Sequence, residues 1–160
     1  MSSRSYISIA ENCPIRAEAL PDLPRTAGKA RSGPIHVWLA DDDDEIRDLL
    51  VQLLESERDL DCAAQFGSAV ELLSALRCGS VQPDVIVLDN QMPGLRGVDA
   101  IVPIRRLAPA TAILLLTTFF DVVLQRQALA AGADKFLCKG DDAAELPTHI
   151  RQVIASHTGF

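Results

Sequence analysis

Two short runs constrain the fold more than anything else in the chain: VIVL at Val85–Leu88 and ILLL at Ile113–Leu116. A strand covered on one face alternates apolar and polar residues, whereas unbroken aliphatic runs mark central parallel strands covered on both faces. Three further strand candidates flank them, at Ile35–Ala40, Leu60–Phe66 and Lys135–Cys138. Helical patterns fill the intervals. Ile46, Leu49, Leu50, Leu53 and Leu54 recur at helical spacing. Ser68 and Glu71 form a capping-box pattern that opens a second helix. A third helix is expected from about Val98 to Leu107, and a fourth from about Asp121 to Ala131, stopped by Gly132. A fifth presents Ile150, Val153 and Ile154 on one face. Five strand–helix units in about 125 residues define an open, doubly wound α/β sheet.

Charge separates this core from what precedes it. Residues 1–35 hold 5 Lys or Arg against 3 Asp or Glu, and residues 36–160 hold 10 against 19. A domain this acidic repels phosphate backbones, so direct nucleic-acid binding is not expected. Residues 1–33 carry three prolines and no long periodic pattern, and read as a flexible extension with a short helix near Ile15 to Leu20. The domain is expected over 34–157, with a short tail at 158–160. No stretch approaches the roughly 18 apolar residues of a membrane span. Cys13, Cys62, Cys78 and Cys138 show no paired spacing and read as buried, reduced thiols of a cytoplasmic protein.

In such a sheet, ligands sit outside the carboxyl ends of the strands. The first strand delivers Asp41 and Asp42 there, the third Asp89, the fourth Thr117 and the fifth Lys139. Taken singly, each has an ordinary use: an Asp after a strand caps a helix or turns the chain, and a Lys there is solvated. Together they have a chemical logic. Three carboxylates in one cleft repel unless a cation intervenes, and oxygen donors suit Mg²⁺. One carboxylate can then attack a phosphoryl group, while an ammonium and a hydroxyl offset charge on its oxygens. Asp89 is the natural nucleophile, Lys139 the ammonium and Thr117 the hydroxyl. In the run Asp41–Asp44 the first pair faces the cleft. Asp43 is the expected cap of the first helix, and Asp44 and Glu45 lie in its first turn.

The segments LADD, VIVLDNQMPGLRG, ILLLTT and AGADKFLCK, in that order, resemble the receiver domain of bacterial two-component response regulators from Ile35 to about Ser156. The resemblance implies a flavodoxin-like five-stranded sheet of order 2-1-3-4-5. It implies that a sensor histidine kinase or phosphotransfer protein phosphorylates Asp89. Mg²⁺ (or Mn²⁺) would be held by Asp42, Asp89 and the backbone carbonyl of Gln91, with Asp41 helping indirectly. Thr117 and Lys139 would contact the phosphoryl group. Phe136 matches a switch aromatic that couples the site to the face of helix four, strand five and helix five, where an output partner or a second copy would dock. Catalysis beyond slow self-dephosphorylation is not expected.

LLTTF, and a Lys not followed by Pro, resemble receivers that precede a helix-turn-helix DNA-binding domain. The chain ends at Phe160, so a stand-alone receiver is expected, with the receiver portion of a longer transcriptional regulator as the alternative. A Mg²⁺-dependent phosphatase using Asp41 and Asp43 is a further alternative, but it leaves Asp89 without a role. Three departures from the family pattern stand out. Gly140 replaces the Pro that usually follows the site lysine, and Pro147 and Pro103 should delay or kink helices five and three. Phe119, two residues after Thr117, with Thr118 beside it, is expected to slow hydrolysis of an aspartyl phosphate.

Overall fold

The computed structural model describes residues 33–79 and 81–158. Five parallel strands, β1 (Ile35–Ala40), β2 (Leu60–Phe66), β3 (Val85–Asp89), β4 (Ala112–Thr117) and β5 (Lys135–Cys138), form one sheet in the order β2-β1-β3-β4-β5. Between them run α1 (Asp44–Glu55), α2 (Ala69–Cys78), α3 (Gly97–Leu107) and α4 (Val122–Ala131), and α5 (Leu146–His157) follows β5. This is the flavodoxin-like arrangement expected. The two aliphatic runs lie at its centre: every residue of β3 and β4 is buried. The expectations for residues 1–32 and for the last two residues lie outside the described residues.

The sheet divides the core in two. Val37, Leu39, Val87, Leu114 and Leu116 face α1 and α5, while Trp38, Ala40, Ile86, Leu88, Ile113 and Leu115 face α2, α3 and α4. Alternate residues of one strand feed opposite layers, which is why both faces of these strands are apolar. Strand order reverses between β1 and its two neighbours, β2 and β3. The carboxyl ends of β1 and β3 therefore flank the crevice of the switch point.

The helix ends follow local chemistry. Asp43 accepts hydrogen bonds from the backbone N–H groups of Glu45 and Ile46, the cap expected for α1. Asp121 does the same for α4, which ends on Gly132 at φ 112°, a left-handed stop. At α2, Ser68 Oγ accepts from Glu71 N, but Glu71 reaches back to the N–H of Gly67, one residue beyond the standard box. Pro147 falls in the first turn of α5, where its missing N–H has no intrahelical partner; a 3₁₀ turn over Ala143–Glu145 precedes it, which is the late start expected. Pro103 does not delay α3, which begins at Gly97 and continues through Pro103 to Leu107. The thiols are not uniformly buried as expected. Cys62 is buried, and burial with the nearby Glu55 and Asp61 pushes its thiol up to about 12, but Cys78 is exposed and Cys138 half-buried.

Candidate phosphoryl-acceptor site

Asp41, Asp42, Asp89 and Lys139 converge at the carboxyl edge of the sheet. Asp89 closes β3 and is 2% exposed; Asp41 follows β1 at 1%. One carboxylate oxygen from each of Asp41, Asp42 and Asp89 lies within 4.8 Å of the others. Lys139 follows β5, the far edge strand, and its Nζ crosses to 2.6 Å from Asp41 Oδ2 and 3.0 Å from Asp89 Oδ1. With Asp41 the ammonium makes a hydrogen bond. With Asp89 it makes an ion pair whose alignment leaves Oδ1 without a hydrogen bond.

Burial pushes the Asp89 carboxyl above its ordinary range; Lys139 pulls against that, and the negative charges of Asp41 and Asp42 add to it. Burial also draws the Lys139 ammonium down, but its hydrogen bond to Asp41 and the charges of Asp89 and Asp41 outweigh this and hold it above the ordinary lysine value. Three carboxylates against one ammonium leave two negative charges uncompensated in a mostly buried pocket. The donors are all hard oxygens, and one buried oxygen lacks a hydrogen bond. Donor type, charge and the orphaned oxygen all fit a small divalent cation such as Mg²⁺.

The other expected residues lie around this cluster. Thr117 ends β4, is 2% exposed, and its carbonyl accepts from Lys139 N at 2.7 Å. Gln91 is exposed in the β3–α3 loop. Phe136 is buried in β5, with Phe120 edge-on at 6.1 Å between ring centroids. Phe119 is 70% exposed. Asp43, the acid of the phosphatase alternative, is instead occupied as the α1 cap.

Sequence reasoning missed three contributors. Asn90 is buried beside Asp89; its Oδ1 accepts from Val98 N and its carbonyl from Gly97 N, so it caps α3 from seven or eight residues away. Gly97 packs against the Asp89 backbone so closely that a Cβ there would collide with the Asp89 carbonyl oxygen and sit 2.9 Å from its carbon. Arg47 donates to the Asp41 carbonyl at 2.6 Å and pairs with Asp44. A polar residue directly after the acceptor, and a glycine opening the next helix, were the available signals for the first two. Arg47 left none, because its target is a backbone atom.

The sheet order and this edge of converging acids and a lysine define a receiver-type α/β domain. The model of the response regulator receiver domain family matches residues 37–151, and the chain belongs to that family. It is 32% identical over 125 residues to the transcriptional regulatory protein LnrK of Bacillus subtilis, covering 78% of this chain and 54% of that one. It is 29% identical over 124 residues to the DNA-binding transcriptional activator DevR/DosR of Mycobacterium tuberculosis, covering 78% and 56%. The chain thus spans about half the length of these curated relatives. Among solved structures it resembles a LuxR-family response regulator from Aurantimonas, with a TM-score of 0.72, 28% identity and coverage of 78% and 87%. It also resembles the response regulator domain of Thermotoga maritima CheB, at 0.69, 27%, 76% and 97%. This is a receiver domain of two-component phosphorelay signalling. Such domains bind Mg²⁺ at an acidic pocket and work with histidine kinases or phosphotransfer proteins and with output domains. No described helix is long and apolar enough to cross a membrane.

Proposed function

We propose that this chain accepts a phosphoryl group on Asp89 from a sensor histidine kinase or phosphotransfer protein, in the cytoplasm, with Mg²⁺ present. The observation that carries this reading is Asp89 Oδ1: a buried carboxylate oxygen without a hydrogen bond, beside a charged Lys139 and two further carboxylates. Such an oxygen is poised to form a bond to phosphorus while the donor's phosphorus–nitrogen or phosphorus–oxygen bond breaks and the leaving group departs. Asp42, Asp89 and the Gln91 carbonyl would hold the cation, with Asp41 behind them. The cation supplies charge neutralisation for the phosphoryl oxygens. Lys139 offers its ammonium and Thr117 its hydroxyl to the same oxygens.

The response is read as a change in protein contacts over α4, β5 and α5, relayed by Thr117 and Phe136. The apolar side chains that α4 and the loop before it turn outward, Phe119, Phe120, Val122, Val123 and Leu129, support a contact role for this region. Phe119 at the rim would slow hydrolysis of the acyl phosphate. Output through a DNA-binding domain, as in the transcriptional relatives, is the second reading, favoured by their similarity. Intact-mass measurement with acetyl phosphate tests the first step. One phosphoryl group is expected with Mg²⁺ and none after chelation; no addition in either case, or addition indifferent to chelation, would contradict the reading.

A further inference from the structure

β5 is an edge strand, so alternate backbone N–H groups point away from the sheet with no neighbouring strand to receive them. Lys139 N is directed inward, to the Thr117 carbonyl at 2.7 Å. Cys138 N points outward, and its partner is a side chain: Asp142 Oδ2, at 2.8 Å. The backbone N–H of Asp142 returns to the Cys138 carbonyl, also at 2.8 Å. One residue thereby closes the turn Cys138–Asp142 from both sides, and the site lysine lies inside that turn. The Lys139 backbone is otherwise tied by its N–H to the Thr117 carbonyl, and a Cβ at the neighbouring Gly140 would meet nothing within 4 Å.

The other face of the Asp142 carboxylate looks toward α5. Asp142 Oδ1 lies 3.8 Å from His149 Nε2, and that ring is 14% exposed. Lys135 Nζ is 2.7 Å from His149 Nδ1 and can only donate, so Nδ1 accepts and the neutral ring carries its proton on Nε2, facing Asp142. That nitrogen has no hydrogen bond in its buried position. Asp142 thus lies between the end of β5 and the first turn of α5, with one carboxylate oxygen on Cys138 N and the other facing His149.

We propose that Asp142 is a positioning residue for Lys139, setting the reach of the ammonium across the site to Asp41 and Asp89. The proposal rests on the phosphoryl-acceptor reading above. Asp142 touches no reacting atom; it acts by restricting the Lys139 backbone, so that the side chain spans the cleft from a fixed origin. An ångström of misplacement at such a group slows reaction by as much as about 100-fold, and a loosened rather than displaced lysine should slow it by about tenfold.

The test is the rate at which acetyl phosphate with saturating Mg²⁺ adds one phosphoryl group, followed by intact mass in the full chain. Asp142→Ala should slow the wild-type rate about tenfold, and Asp142→Asn, whose amide oxygen can still accept from Cys138 N, should restore it to within about twofold. In a Lys139→Ala background, Asp142→Ala should add nothing, because its effect passes through the lysine. An unchanged rate in Asp142→Ala, or equal slowing in both backgrounds, overturns the proposal. Should Asp142→Ala melt below the assay temperature, Asp142→Glu, one methylene too long for the turn, carries the same comparison. A wild-type chain that accepts no phosphoryl group overturns the acceptor reading itself, and this proposal with it.

Discussion

Of the four consecutive aspartates, each has a distinct job, and the distinction follows from where β1 ends. Asp41 is buried, accepting from Lys139 Nζ at one oxygen and from Asp43 N at the other; Asp42 is exposed at the mouth. Asp43 caps α1, and Asp44 and Glu45 sit in its first turn, where the helix dipole favours negative charge. This division was legible in the sequence because it depends on spacing from a strand end. Arg47 and Asp142 were not legible, because each bonds to a backbone group that its own turn brings near, and Asn90 left only its place directly after Asp89 as a signal. The division carries a prediction. Mg²⁺ at about 100 times its dissociation constant should stabilise the native chain by about 2.7 kcal/mol, seen as a rise in Tm. Asp42→Ala, which removes a proposed cation ligand and leaves the α1 cap intact, should show much less; equal shifts in the two proteins would argue against the assignment.

At the scale of elements, β3 and α3 are joined more tightly than a strand–loop–helix unit requires. Asn90 caps α3 twice, and Gly97 lets the first helical turn press on the Asp89 carbonyl. The Asp89 backbone is thus clamped by the helix that follows it. Gly97→Ala should cost about 3 kcal/mol by overpacking against backbone that cannot swing aside. It should also slow phosphorylation at temperatures where the variant remains folded. Urea midpoints and the acetyl phosphate rate check both, and a variant as stable and as fast as wild type would show that the contact is slack. Strand positions were the most legible part of the fold, since residues buried on both faces leave unbroken aliphatic runs. α4 was legible as a helix but not in its packing. Its valines and Leu129 face outward and only Ala128 is fully buried, so apolar periodicity alone misjudges which side meets the core.

At the scale of the molecule, the end of the sheet opposite the site is tied by charge. Arg105 of α3 donates to the Thr111 and Gly132 carbonyls and to Asp134, and Asp134 also accepts from Ile113 N and pairs with His157 at the end of α5. Burial pushes the Asp134 carboxyl up, but the hydrogen bonds from His157, Ile113 N and Arg105 outweigh it and hold it below 3.8. The unfolded chain then binds more protons than the folded one between the two values. The stability Asp134 contributes is therefore in full force above about pH 3.8 and is lost as pH falls through the lower folded value. Asp134→Ala should cost about 2 kcal/mol at pH 7, and the gap to wild type should narrow at pH 3. Urea titrations at both pH values check this, and a gap that widens in acid would reverse the sign. The site end holds the opposite balance, with negative charge in excess and Asp89 raised rather than lowered. The molecule is secured by ion pairs at one end of its sheet and carries the proposed cation and phosphoryl site at the other. The central claim is that Asp89 is where the phosphoryl group goes, and a time course of intact mass for wild type and Asp89→Asn side by side, with acetyl phosphate and Mg²⁺, tests it most directly. A single phosphoryl addition in wild type and none in Asp89→Asn is the expected result; the same addition in both proteins, or none in wild type, would contradict it.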